Sequence, residues 1–322
     1  MASTVVPSAP PPARSFVSRM RAGDEIAWLV CFVFAASIIL ITILLCVELW
    51  DHSALARNKF GFGFLIRSVW DPVDSQFGAL PFIWGTVVTS ILALVISVPL
   101  GVGAAIFLSE LAPPRLSNIF TFLVELLAAV PSVIFGVLGF FALVPLMRVY
   151  VQPFLIHTLG WTPLFAGPAY GVGVLTASVV LAIMIFPYII SISREALIQV
   201  PREQREAALA LGATQWEATW DAVVPFAKLG IMGAVFLSLA RALGETMAVT
   251  MVIGNDPKIH SSLLAPGYSI AAVIANEFTE ATGDVYLSAL VELGLVLFLI
   301  TMILNGLGRL LIVATTKPGA GR

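Results

Sequence analysis

Arg241 and Glu245 stand inside a long apolar run of this 322-residue chain, with Ser238 about one turn earlier. An arginine at the centre of a membrane helix costs about 3 kcal/mol on insertion scales, so it needs a partner, water or a ligand. Its guanidinium offers a planar fork of donors that matches the oxygens of a phosphate-like anion. On a continuous helix the i,i+4 spacing places Glu245 on the same face. There it would hold Arg241 between passages of an anion, or keep the site from binding too tightly to release. The competing reading is a buried ion pair that fixes helix packing. Glu125 and Glu292 also fall inside apolar runs and are read as structural, hydrogen-bonded to neighbouring helices.

A second group lies in the polar segment Arg194–Lys228. Pro201 suits the first position of a helix, and 202–211 is rich in good helix formers. Gly212 sits where a left-handed helix stop is expected. Thr214-Gln215-Trp216-Glu217 is a capping box that starts a second helix. The segment therefore reads as a built helix–turn–helix with Pro225 just before the next apolar run. Ala207 and Ala208 would let another protein approach the backbone of the first helix closely.

The elements that carry these groups follow from composition. Hydrophobic residues make up 59% of the chain and charged residues 11%, against about 25% charged in soluble domains. Such a chain cannot hide its apolar surface in water, which excludes a soluble enzyme. A net charge of −2 excludes the basic footprint of a nucleic-acid binder. Crossing a bilayer takes about 20 apolar residues. Six runs qualify: 26–47, 81–108, 119–147, 171–192, 229–253 and 286–314. The fold class is an all-α membrane protein with six transmembrane helices. Pro99, Pro131, Pro145 and Pro187 fall inside runs and predict kinks. Gly101-x-Gly103 and Gly171-x-Gly173 are read as small residues for close helix contact. Cys31 and Cys46 are about 22 Å apart on a helix, too far to bridge. His52, His157 and His260 are scattered, without metal-ligand spacing.

Lysine and arginine set the orientation. With the N-terminus inside, eleven fall on the inner side and five outside, with Arg241 within a span. Both termini are then cytoplasmic. Residues 1–25 read as a disordered cytoplasmic tail and 315–322 as a short cytoplasmic tail. The first helix and an external segment occupy 26–80, and the core, with its loop 194–228, occupies 81–314. The first run is too long, and its Ala54-Leu55-Ala56 too far along, for a usual signal peptide, so it is read as a retained helix. The segment His52–Leu80 suits either the outer membrane interface or the seat of an external protein.

Glu206-Ala207-Ala208, three residues and Gly212 resemble the EAA motif of ABC importer permeases. The family continues with nine residues and Ile-x-Leu-Pro, where this chain has Ala222-Val223-Val224-Pro225. The spacing and the proline hold, while the two aliphatic positions differ. Arg241–Thr246 (RALGET) resembles the Arg-Ala-x-Gly-Glu-Thr segment of the permeases of phosphate-specific ABC importers. Pro131–Gly136 (PSVIFG) is similar to a third-span segment of those subunits. Ser193–Glu195, Gln204–Gly212, Val252–Asp256 and Leu264–Phe278 look like the PstC branch of that family. The resemblance runs from about residue 81 to 314. It implies a type I ABC importer permease fold and import of inorganic phosphate by alternating access. It implies a second permease, PstA, two copies of the ATPase PstB, and an external phosphate-binding protein, PstS, in a bacterial inner membrane. It also implies that Glu206, Ala207, Ala208 and Gly212 belong to a helix that docks on the ATPase. No Gly-x-x-x-x-Gly-Lys-Ser/Thr occurs, so ATP and magnesium are expected on the partner ATPase and no cofactor in this chain.

Three other readings stay open at this point. Another oxyanion, sulfate or molybdate, would suit Arg241 equally. An autonomous proton-coupled transporter could use Glu245, Glu125 and Glu292 as a relay, although it would leave the 194–228 loop idle. A membrane-embedded enzyme finds no nucleophile–base pair or metal cluster.

Overall fold

The computed structural model describes residues 24–316, with side chains from Glu25 to Leu310. The two predicted tails lie outside the described residues, apart from 24–25 and 315–316. The chain divides into two compact units, 1–51 and 52–322. Within the first, α1 (Asp24–His52) is a single uninterrupted apolar helix, uniformly hydrophobic around its circumference. A helix of this composition suits hydrocarbon and satisfies its own backbone.

The second unit holds the remaining five helices long and apolar enough to cross a membrane. They are α4 (Leu80–Leu111), α6 (Ser132–Leu159), α7 (Val174–Ile198), α9 (Gln215–Leu243) and the membrane part of α12 (Asp284–Thr316). Helix α7 is the most enclosed and packs chiefly on α4 and α9. Gly101 of α4 allows this approach, because a Cβ there would come within 2.7 Å of Ile189 on α7. Gly103 faces open space, and Gly171 adopts φ +85° in the turn before α7. Gly171 also permits close contact with α6, because a Cβ there would come within 2.9 Å of the Val144 carbonyl and of Arg148 Cβ. One on Gly173 would come within 2.6 Å of the Leu264 carbonyl, so of the two pairs only Gly103 makes no close contact.

The third and fifth spans differ from their predicted limits. The run 119–147 is broken at 129–131, where Pro131 cannot donate a helical hydrogen bond. A separate amphipathic helix, α5 (Pro114–Ala128), precedes the break and α6 follows it. Glu125 therefore lies on α5, exposed, and not within the third span. The fifth span starts earlier than expected, at Gln215, so Pro225 lies inside α9. Proline 225 has no N–H for the Asp221 carbonyl, and the helix passes this point through a wide π-turn at 219–223. The span also ends earlier, at Leu243. A break at 244–246 separates it from a short helix, α10 (Met247–Ile253).

Short elements finish the unit. Helices α2 (Ala54–Phe60) and α3 (Gly63–Ile66) lead into an aromatic cluster of Trp70, Phe77, Phe82 and Tyr286. Helix α11 (Ile270–Glu277) is capped by Ser269, whose Oγ accepts from the Ala272 N–H at 3.2 Å. Glu277 at its end accepts from Trp70 Nε1 at 2.8 Å and from the Tyr286 hydroxyl at 2.6 Å. The segment 52–80 is thus folded onto α11 and α12, while Phe62, Ile66 and Val73 stay exposed.

Candidate functional site

The 194–228 loop has the expected construction. Helix α8 (Arg202–Ala210) follows Pro201, and Gly212 stops it at φ +93°. The chain turns there at no Cβ cost. Thr214 Oγ1 accepts from the Glu217 N–H, and Glu217 Oε2 accepts from the Thr214 N–H at 2.8 Å. That reciprocal cap starts α9 directly, so the second helix of the loop is the first turn of the fifth span.

Arg205 ties this loop to the membrane helices. Its Nε and Nη2 donate to the two oxygens of Glu110 at 2.9 and 2.8 Å, a bidentate pair. Nη1 and Nη2 also donate to the Val200 and Leu197 carbonyls at 2.6 and 2.8 Å. The Leu197 carbonyl belongs to the last turn of α7 and also accepts from the Val200 N–H at 3.2 Å. Glu110 ends α4, so one side chain joins α8, α4 and α7. The hydrogen bond to Glu110 raises the Arg205 pKa, and burial opposes the shift. Sequence reasoning left Glu110 without a role, because the pair spans 95 positions.

Outside this staple the loop is open. Glu206, Ala207 and Gly212 are exposed and Ala208 is half-buried. Leu211 is 90% exposed, and Trp216 and Trp220, edge to face at 5.5 Å, are also uncovered. A large exposed apolar patch at a helix turn marks an interaction surface.

At the other end of α9 the geometry differs from the expected ion pair. Arg241 is exposed, and its Cζ lies 4.2 Å from the centre of the Tyr188 ring. This is a cation–π contact, which fixes the guanidinium by its face and leaves its N–H edge free. The Tyr188 hydroxyl donates to the Ala128 carbonyl at 3.1 Å, at the end of α5. Glu245 does not reach Arg241, because the helix breaks between them at Gly244. Glu245 Oε1 instead accepts from the Ala248 N–H at 3.3 Å and caps α10. Ser238 is fully buried, and its hydroxyl has no partner. It does not share the exposed surface of Arg241. Among the described residues no acceptor takes a hydrogen bond or ion pair from Arg241. Tyr188 carried no sequence signal, since an aromatic in a span is ordinary.

Glu292 is buried on α12 with one oxygen unpartnered. It lies on α12, whereas Glu125 lies on α5 and Glu245 in the turn before α10, and no hydrogen bond among the described residues joins the three. No cluster of three metal-ligating side chains occurs among the described residues.

Comparison with known proteins agrees with this architecture. Residues 97–315 match the family described as binding-protein-dependent transport system inner membrane component. The chain is 49% identical to a phosphate transport system permease protein of Mesorhizobium japonicum, covering 85% of this chain and 86% of that protein. It is 48% identical to the corresponding protein of Pasteurella multocida, covering 83% of each. Among solved structures, a chain of a bacterial alginate ABC transporter superposes with a TM-score of 0.60 at 16% identity, covering 94% of this chain and all of that one. A chain of an inward-facing methionine ABC transporter gives 0.57 at 16% identity, covering 73% and 95%. These last two likenesses are of fold. The chain is a multi-pass membrane transport subunit and belongs to the family of binding-protein-dependent transport system inner membrane components.

Proposed function

We propose that this chain is one half of the pore of an ATP-driven importer that carries inorganic phosphate into the cytoplasm by alternating access. The observation that carries the substrate is the 49% identity to a phosphate permease across most of both chains. In this reading the chain pairs with a second permease, PstA. Of the two copies of the ATPase PstB, one docks on the loop of this chain and the other on PstA, and PstS delivers phosphate from outside. The complex sits in the inner membrane with both termini of this chain cytoplasmic. ATP and magnesium act on PstB, and this chain binds no cofactor and catalyses no reaction of its own.

Supporting the coupling role, Glu206–Gly212 offers an exposed short helix with small residues and an apolar tip at Leu211. Supporting the pathway role, Arg241 is a fixed cation with unused donors on an exposed face. The donors would meet oxyanion oxygens one set at a time, and the partner permease would close the other side. Movement of α8 reaches α4 and α7 together through Arg205. Glu245 acts by shaping the break beside Arg241, and Ser238 packs behind it.

The test is labelled-phosphate uptake at limiting concentration in the native host, with and without this gene. The expected result is loss of uptake on deletion, with no competition by sulfate or molybdate in the wild type. Unchanged uptake in the absence of the gene and of any redundant phosphate importer would contradict the proposal.

A further inference from the structure

Counted from the spans, the segments 53–79, 160–173 and 244–283 fall on one side of the membrane. The first and the last are charged. The first carries Arg57, Lys59, Arg67, Asp71 and Asp74, and the last carries Glu245, Asp256, Lys258, Glu277 and Glu280. The middle segment, which joins α6 to α7, is different. From Val149 to Ser193 the chain has no lysine, arginine, aspartate or glutamate. The 160–173 loop nevertheless exposes large apolar side chains. Trp161 is 83% exposed, and Leu164 and Tyr170 are also uncovered. Left in water, such a surface favours association with something apolar.

The loop is built and not slack. The Thr162 N–H and Oγ1 both donate to the Leu159 carbonyl, at 2.9 and 2.8 Å, so Trp161 sits in a tight turn straight after α6. The Leu164 carbonyl accepts from the Leu263 N–H at 2.8 Å, and the Gly171 N–H donates to Gln152 Oε1 at 2.8 Å. Pro163 and Pro168 bring no N–H. These bonds fix the loop and take up backbone polarity, which suits a depth where water is scarce. The Trp161 indole N–H donates to no acceptor among the described residues. A flat apolar ring with a free donor fits the membrane–water interface, where tryptophan and tyrosine are enriched. Exposed Tyr150 and Phe154 lie on α6 shortly before the loop, so the apolar surface of the span continues into it.

We propose that the 160–173 loop is a lipid anchor, seated in the interfacial layer of the bilayer with Trp161 as its leading side chain. Lipid is the occupant because the loop has no charge with which to steer or orient a protein partner. A protein interface also keeps a polar rim, and the two neighbouring segments supply charge where this one has none. The outer leaflet follows from the orientation read from lysine and arginine. The anchor itself rests neither on that orientation nor on the identity of the transported anion.

The probe is a nitroxide at Ala166, an exposed residue of the loop. Ala166→Cys is placed in a background with Cys31→Ala and Cys46→Ala, which keeps Trp161, Leu164 and Tyr170. The chain is purified from its native host through a tag, with the subunits that accompany it, and reconstituted in phosphatidylcholine–phosphatidylglycerol bilayers. Power saturation then compares collision of the label with oxygen, which concentrates in lipid, and with a water-soluble nickel chelate. Phe154→Cys on α6 and Thr282→Cys, between Glu280 and Asp284, give the lipid and water references. The oxygen-to-nickel ratio at 166 should lie well above the Thr282 value and below the Phe154 value. Adding the external binding protein loaded with phosphate should leave it unchanged. Trp161→Asp in the labelled chain should shift the ratio towards the water reference, because a charge is expelled from that depth. A ratio at the water value overturns the anchor, as does no shift with Trp161→Asp. A label that neither reagent reaches would place a protein subunit over the loop. A fall in both collision rates when the binding protein is added would assign the loop to that protein, and either result also overturns the proposal.

Discussion

At one end, α9 begins on a cap closed by its own side chains, with Thr214 and Glu217 exchanging hydrogen bonds and Arg205 stapling the neighbouring α8 to α4 and α7. At the other end it stops beside Arg241, which stacks on Tyr188 and offers its donors to nothing among the described residues. The first end is internally satisfied and presents apolar surface outward. The second presents unsatisfied polar surface. A protein partner is what the first lacks, and an anion or a second pore half is what the second lacks. In the proposed reading, charge satisfied within the chain serves transmission of force and charge left open serves the cargo.

The strongest way to break this contrast is to spoil the outward surface of the closed end. Ala207→Arg places a charge on a surface proposed to be buried against the ATPase, where an unpaired ion costs several kcal/mol. Expected is loss of nearly all uptake and of ATPase co-purification, with the permease still in the membrane, as read by pull-down and blotting. ATPase retained at the wild-type level would remove α8 as its dock.

Next in size is the staple. Arg205→Ala removes a bidentate charged pair, in a class worth about 1.5–3 kcal/mol. The lower end applies because 23% of the Arg205 side chain is exposed. Uptake should fall about tenfold, the equivalent of 1.4 kcal/mol, and Glu110→Gln combined with Arg205→Ala should be little worse than Arg205→Ala alone. Additive losses in that double-mutant cycle would show that the pair does not act as a unit.

Glu245→Gln sharpens the other end. If Glu245 caps α10, the amide oxygen still accepts from the Ala248 N–H, and the loss is about 0.3–1 kcal/mol of helix-end electrostatics. Uptake should drop no more than a few-fold, without a change in anion selectivity. A collapse of uptake comparable to removing Arg241 would restore the direct ion-pair reading.

The smallest effect belongs to the cap. Thr214→Ala should cost about 0.5–2 kcal/mol of local helix stability. Melting curves should show Thr214→Ala unfolding at a lower temperature than wild type, and coincident curves would mean that the cap does not hold this helix start.

Much of this was legible in the sequence. The six apolar helices follow from composition and run length, and the Gly212 stop and the Thr214–Glu217 cap follow from local backbone chemistry. Local rules failed where hydrophobicity is continuous but the helix is not. Nothing in the hydropathy of 119–147 or 229–253 marks the breaks at 129–131 and 244–246, although Pro131 and Gly244 stand there. The second break undid the one-face argument for Arg241 and Glu245, which assumed an unbroken helix. Arg205–Glu110 and Arg241–Tyr188 were illegible for a different reason. Each joins residues far apart in sequence, and only the packing of α7 against α4 and α9 brings them together.

The central claim is that Arg241 meets the transported anion. Arg241→Ala should leave the permeases and ATPase assembled, and phosphate uptake should fall by about 30- to 150-fold, the loss of roughly 2–3 kcal/mol of charged hydrogen bonding. Labelled-phosphate uptake by that variant, with assembly checked by co-purification, is the most direct measurement. Loss of uptake in an intact complex is the result predicted. Wild-type uptake in that same complex would contradict the account.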